Sequence, residues 1–182
     1  MRFILFLMIF LLSACTAEAD VKEIKVDMIN LDGDSLGTAT FTEEAEGVKI
    51  KLKLEGLPPG WHAIHVHEFP KCEPPDFSTA GNHFNPEDKE HGLMNPKGPH
   101  AGDLPNIEVD SGGKVDEELT LPEVTLLDGK NSLLREEGTS LIIHEGPDDG
   151  YSQPAGNSGE RIACGKITSK TEDKSEETET EE

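Results

Sequence analysis

Three of the seven histidines of the chain lie within six positions, in the stretch "GWHAIHVHEF" at 60–69. Successive side chains of an extended strand alternate faces. Ile64 and Val66 therefore share a face with His62, whereas His65 and His67 share the other with Ala63 and Phe69. With the apolar pair toward a core, His65 and His67 stand side by side on the outer surface, at a spacing that lets two imidazoles converge on one ion. His62 points inward and reads as a hydrogen-bonded structural residue rather than a ligand. An isolated His-x-His pair is weak, but "GNHFNPEDKEHGLMNPKGPHAGD" adds His83, His91, His100 and Asp103 at intervals of eight, nine and three residues. Three imidazoles and a carboxylate suit a tetrahedral zinc site whose ligands all come from protein, which makes it structural. His144, in "LIIHEG", ends a strand and completes an imidazole-rich set around His65 and His67, chemistry that suits copper.

The elements that must position these groups are strands. "EIKVDMIN" alternates Ile24, Val26 and Met28 with polar residues, "GTATFTEE" follows, and "GVKIKLKLEGL" puts Val48, Ile50, Leu52 and Leu54 on one face and lysines on the other. Such alternation predicts half-buried antiparallel strands, and Asp32-Gly33-Asp34 and Glu46-Gly47 mark tight connections. "GWHAIHVHEF" is read as one fourth strand. From Pro70 to about Pro105 the pattern gives way to Pro, Gly, Asn and His, a loop of the length that is usually functional or disordered. Strands resume at "KVDEELTL" and "TSLIIHE", and a second irregular stretch, "GPDDGYSQPAGNSGE", precedes the last strand "RIACGKI". The expectation is one all-β domain over 22–169, interrupted by two long loops and without internal repeats.

A formal charge of −21 argues against nucleic acid as a partner, since clustered Lys and Arg are absent. The tail 170–182 carries seven acids against two lysines and no apolar side chain, and is expected to be disordered. At the other end, Arg2 precedes an apolar run from Phe3 to Leu12, too short for a spanning helix of roughly 20 residues but shaped like a signal peptide over 1–14. Its end, "LSAC", resembles the lipobox of bacterial lipoprotein signals, which implies lipidation of Cys15, a linker over 15–21 and an extracytoplasmic domain anchored to the cell membrane. A plain secretory signal with an incidental Cys is the alternative. Both readings export the domain, and an exported chain permits disulfides. Cys72 and Cys164 are expected to pair, with two free thiols as the alternative. No diagnostic apolar patch separates a monomer from a homodimer.

Taken in order, "HVHEF", "AGNHFNP", "HAGDLPN", "IIHEGPDD" and "GNSGERIACG" resemble the successive signature segments of the copper/zinc superoxide dismutases, from about Glu23 to Ile167. The resemblance implies an eight-stranded Greek-key β-barrel or flattened sandwich, with the metal site outside the barrel under two long loops. It implies copper on His65, His67, His83 and His144, and zinc on His83, His91, His100 and Asp103, so that His83 is shared. Some bacterial relatives lack copper ligands; here every position is filled. Asp148 matches the carboxylate that is hydrogen-bonded to one ligand of each metal, a role that suits the usual need of a ligating imidazole; a solvated surface acid is the alternative. Arg161 matches the arginine bordering the open copper face, against the alternative of an ordinary surface cation.

The implied activity is disproportionation of superoxide to dioxygen and hydrogen peroxide by copper redox cycling, with zinc as positioner. It further implies that His83 takes up a proton when copper is reduced and that Arg161 holds the incoming anion. The second loop departs from the better-known eukaryotic members, carrying Glu145, Asp148, Asp149 and Glu160 but no lysine. Lys71, Lys89 and Lys97 of the first loop are the candidates for replacing that steering charge, and the expected rate falls with salt while running below the steered ceiling. The competing class is a surface copper or zinc binding protein without productive turnover.

Overall fold

A computed structural model describes residues 22–169. The signal-like segment 1–14, Cys15 with its linker to 21, and the tail 170–182 lie outside the described residues. Among those described, no helix is long and apolar enough to cross a membrane.

Nine strands are present among the described residues: β1 Glu23–Asn30, β2 Ser35–Glu44, β3 Gly47–Glu55, β4 Gly60–His62, β5 Ile64–His67, β6 Ile107–Val109, β7 Lys114–Pro122, β8 Thr139–His144 and β9 Arg161–Ile167. Seven form a curled antiparallel sheet in the order β5, β8, β9, β1, β2, β3, β7, and β4 pairs separately with β6. Alternation decides which way each strand faces. Val48, Ile50, Leu52 and Leu54 of β3 are buried, and Lys49, Lys51 and Lys53 are not. Lys51 meets Glu118 of β7 across the ladder at 2.8 Å. Phe41 and Ala39 of β2, Val26 and Met28 of β1, and Leu141 and Ile143 of β8 complete the same core.

The expected single strand at 60–69 is instead two, broken at Ala63. Its first part pairs with β6 and its second with β8, so one run of chain serves two sheets and the backbone turns between them. Ala63 stays engaged, donating to Gly146 O at 2.8 Å and accepting from His144 N at 2.9 Å. Counted as one interrupted strand, β4 and β5 bring the total to the expected eight. The three-residue β6 and a third irregular stretch at 123–138 add to the expected elements. The latter hangs on Glu43, whose carboxylate accepts from Thr125 Oγ1 and Leu126 N, and it buries Val124, Leu126 and Leu133.

The first long loop contains a short 3-10 turn, Ser78–Ala80. It lies against β5: Val66 N donates to Gly102 O and Phe84 N to Val66 O. This packing corrects one expectation. His65 and His67 do face away from the barrel core, but they are 0% and 1% exposed, because the loop covers the face that alternation had assigned to the surface.

Candidate metal centre

β5 and β8 run side by side, so the loop-facing residues of both strands, His65, His67 and His144, come together beside the barrel. The first loop adds His83 through an isolated bridge to His67. One ring nitrogen from each of His65, His67, His83 and His144 lies within 4.8 Å of the others, and the same holds for one ligand atom each of His83, His91, His100 and Asp103. His83 belongs to both groups.

The hydrogen bonds determine which nitrogen each ring offers. His65 Nε2 is 2.7 Å from Asp148 Oδ2, His67 Nδ1 is 3.0 Å from Gly81 O, and His144 Nδ1 is 3.2 Å from Gly159 O. His83 Nδ1 is 2.8 Å from Asp103 Oδ1. The remaining nitrogens, His65 Nδ1, His67 Nε2, His83 Nε2 and His144 Nε2, are buried without a hydrogen-bond partner. Leaving a buried polar atom unpaired is costly, and four such atoms turned toward one another form a group that could hold a metal ion. Imidazole donors suit copper or zinc, so the residues fit the group.

The second cluster is built around Asp103. Its Oδ2 accepts from Gly92 N at 2.9 Å and His100 N at 3.0 Å. His91 Nδ1 lies 3.1 Å from the same oxygen but lacks the direction of a hydrogen bond, and is itself a buried unpaired atom. His100 Nδ1 is 3.5 Å from His83 Nδ1. Three Nδ1 atoms and a carboxylate thus face one another, a donor set that fits zinc.

Asp148 ties the clusters together. Besides His65, it accepts from His91 Nε2 at 3.1 Å, so one carboxylate orients a ring from each group by the nitrogen turned away from the cluster. Asp148 is fixed in turn by Asn106, which exchanges two hydrogen bonds with its backbone. Gln153 does the same for His91, bonding both its N and its O. Asn106 closes the segment "HAGDLPN", so it stood in a recognisable motif; Gln153 sits in the second loop without such a signal.

Proton affinities follow this arrangement. Burial, reinforced by neighbouring rings, lowers His144 to about 3 and His83 to about 4, and lowers His67 strongly. These rings are neutral at pH 7, as ligation requires. Burial also acts to lower His91, but the Asp103 and Asp148 carboxylates on either side of it outweigh this and raise that ring to about 9. Burial acts to raise both carboxyls, yet the surrounding imidazoles hold Asp103 and Asp148 far below the usual carboxylate range.

Arg161 opens β9 and is paired with His144 in the ladder. Its Nη1 donates to Phe77 O and its Nη2 to Gly81 O, both at 2.7 Å. Its charge is felt at His67 and His144, where it adds to the effect of burial. A disulfide joins Cys72 to Cys164, three residues further along β9, so the first loop is fastened to the strand that carries Arg161. Of the first-loop lysines Lys71, Lys89 and Lys97, Lys89 pairs with Glu123 and Lys97 with Glu90.

Comparison with known proteins agrees in sequence and in fold. A profile of the family described as copper/zinc superoxide dismutase (SODC) matches residues 35–167. "Superoxide dismutase [Cu-Zn] 1" of Aquifex aeolicus is 53% identical over 143 residues, covering 78% of this chain and 85% of that protein. A solved SOD-like protein from Bacillus subtilis superposes with a TM-score of 0.76 at 42% identity, covering 79% of this chain and 97% of the other. The Cu/Zn superoxide dismutase from Brucella abortus does so with a TM-score of 0.69 at 31% identity, covering 80% and 99%.

Proposed function

The chain belongs to the copper/zinc superoxide dismutase family, and from that premise we propose which of its residues hold the metals and meet the substrate, and where the enzyme works. Its reaction is disproportionation: two superoxide anions and two protons give dioxygen and hydrogen peroxide. When bound, copper supplies the one-electron couple, and zinc, which has no redox chemistry, supplies charge and structure.

We assign copper to His65, His67, His83 and His144 and zinc to His83, His91, His100 and Asp103, one ion of each per chain. The observation that carries this is the set of four buried, unpaired imidazole nitrogens. His83 presents Nε2 to one group and Nδ1 to the other, so its Nε2 is the atom assigned to hold and return a proton during turnover. Asp148 keeps His65 and His91 turned inward by accepting from the opposite nitrogens. Arg161 has five N–H donors, of which the two carbonyl bonds use two; the others are available to orient a small anion by charge-assisted hydrogen bonds.

The deciding experiment reconstitutes the domain with copper and zinc and follows superoxide decay for the natural sequence and for His67→Ala. Turnover in the first that collapses in the second is expected. Metal binding without turnover in the natural sequence would make the chain a metal buffer.

We further assign the domain over 22–169 to the extracytoplasmic side, anchored through lipidated Cys15 after removal of residues 1–14. The apolar run and "LSAC" support this reading, and two acyl chains give a stable anchor where one binds only marginally. Cys15→Ala should move the protein from the membrane to the soluble fraction; unchanged fractionation refutes the anchor.

A further inference from the structure

Both carbonyls that hold Arg161 belong to residues with positive φ. Gly81 has φ 80°, and a side chain there would collide with the Phe69 ring and Glu68, so only glycine fits. Phe77 is different. Its φ of 54° and ψ of 19° place a bulky residue in the left-handed region, which persists only where the surroundings enforce it. The enforcement is visible: Phe77 is 0% exposed and packs with Ala80, Ile142 and the Cys72–Cys164 disulfide in a small cluster separate from the barrel core. Its N–H donates to Glu73 O, and its carbonyl takes Ala80 N on one lone pair and Arg161 Nη1 on the other.

We infer that Phe77 is a positioning residue for Arg161: its buried ring pins the backbone that aims one of the two carbonyls gripping the guanidinium. A guanidinium held by Gly81 O alone can swing about that bond. Held by two carbonyls, its plane is fixed, and its charge, which is felt at His67 and His144, keeps a constant position. Gly81 O is also the acceptor of His67 Nδ1, so the fixed arginine stays in register with a ring of the copper group. The sequence contains no sign of this role, because the functional atom is a backbone oxygen.

The inference rests on Arg161 being the group that meets the anion, and the test separates the two. Azide, a small monoanion, is titrated into the copper- and zinc-loaded protein and followed by the visible copper spectrum. The variants are Phe77→Ala, the milder Phe77→Leu, Arg161→Ala and the two double variants, with metal content measured in each. The expected result is azide binding weakened about three- to tenfold by Phe77→Ala, with metal content retained, and changed by less than about 1.5-fold in the Arg161→Ala background, the non-additivity of residues that act as one unit. Phe77→Leu should fall between natural protein and Phe77→Ala, and it carries the test if the alanine variant does not fold. Equal losses in both backgrounds, or no loss, would overturn the role of Phe77. Unchanged azide binding in Arg161→Ala alone would overturn the role of the arginine itself, and the inference with it.

Discussion

Gly156 lies directly against the Asp148 carboxylate: a Cβ at this position would overlap Oδ1 and come within 2.9 Å of His91 Nε2. The carboxylate that bonds both His65 and His91 therefore has its position set by the absence of a side chain in the second loop. Gly156→Ala should displace Asp148 and with it the hydrogen bonds to His65 and His91. Copper and zinc affinity are expected to fall together, by about 10- to 100-fold as for other losses of a ligand's outer hydrogen bond. Gly33→Ala is the control, since Gly33 also has positive φ but an added Cβ meets nothing within 4 Å. Competitive chelator titration of both variants checks this, and loss of metal in the control alone would refute it.

Zinc uptake should release a proton from His91. In the metal-free protein its ring is raised from 6.5 to about 9 by the flanking carboxylates, so at pH 7.5 it is charged, and a charged imidazole cannot ligate. Apparent zinc affinity is expected to rise about tenfold per pH unit between pH 7 and 9 and then level off, the slope of one displaced proton. The sign for stability is opposite. A raised pKa stabilises the metal-free fold fully below about 6.5, and that contribution disappears as pH rises through about 9. The melting temperatures of metal-free and zinc-loaded protein should therefore diverge across this window. Calorimetry in buffers of different ionisation enthalpy counts the proton; none released at pH 7.5 refutes the account.

Steering is expected to depend on Lys71 more than on Lys89 or Lys97. The latter two are neutralised by Glu123 and Glu90, whereas Lys71 is exposed, has no acid paired with it among the described residues, and precedes Cys72 of the disulfide. Lys71→Gln should lower kcat/KM at low ionic strength by about two- to fivefold and flatten its fall with salt, as expected for loss of an attractive charge. Lys97→Gln should do neither. Stopped-flow superoxide decay over a salt series decides, and a rate rising with salt in the natural protein would contradict net attraction.

How much was legible in the sequence follows from what kind of atom does each job. Side-chain alternation separated Ile64 and Val66 from His65 and His67, because period two is a property of the strand itself. It could not show that a loop would cover the histidine face, nor that the strand breaks at Ala63, because both depend on what packs outside. β6 is three residues long, too short for any alternation to register. The pairing of Cys72 with Cys164 was readable from export and arithmetic. Asp148 acquired meaning only through resemblance, since an acid among acids carries no local mark. Phe77, Gly81 and Gly159 act on the site through their carbonyls, atoms that every residue possesses.

His62 is the histidine of the opening trio that joins neither metal group. It is 3% exposed, and its ring nitrogens lie 2.8 Å from His144 O and 2.8 Å from Pro58 O. Both contacts are to backbone, so the ring clamps the chain entering β4 to the end of β8, beside Ala63 where the strand breaks. His62→Ala leaves a cavity and an unpaired carbonyl, which should cost about 2 to 4 kcal/mol of stability. Copper and zinc content per chain should stay near that of the natural protein, since no ligand atom is touched. His65→Ala gives the opposite pattern: copper content falls, and the loss of stability in the metal-free protein is smaller than for His62→Ala, because removing His65 Nδ1 also removes a buried unpaired atom. Thermal melts of metal-free protein, set beside metal analysis of reconstituted protein, separate the two. Copper lost on changing His62 would mean that its hold on His144 O reaches the ring of His144, and would move His62 from scaffold to metal centre.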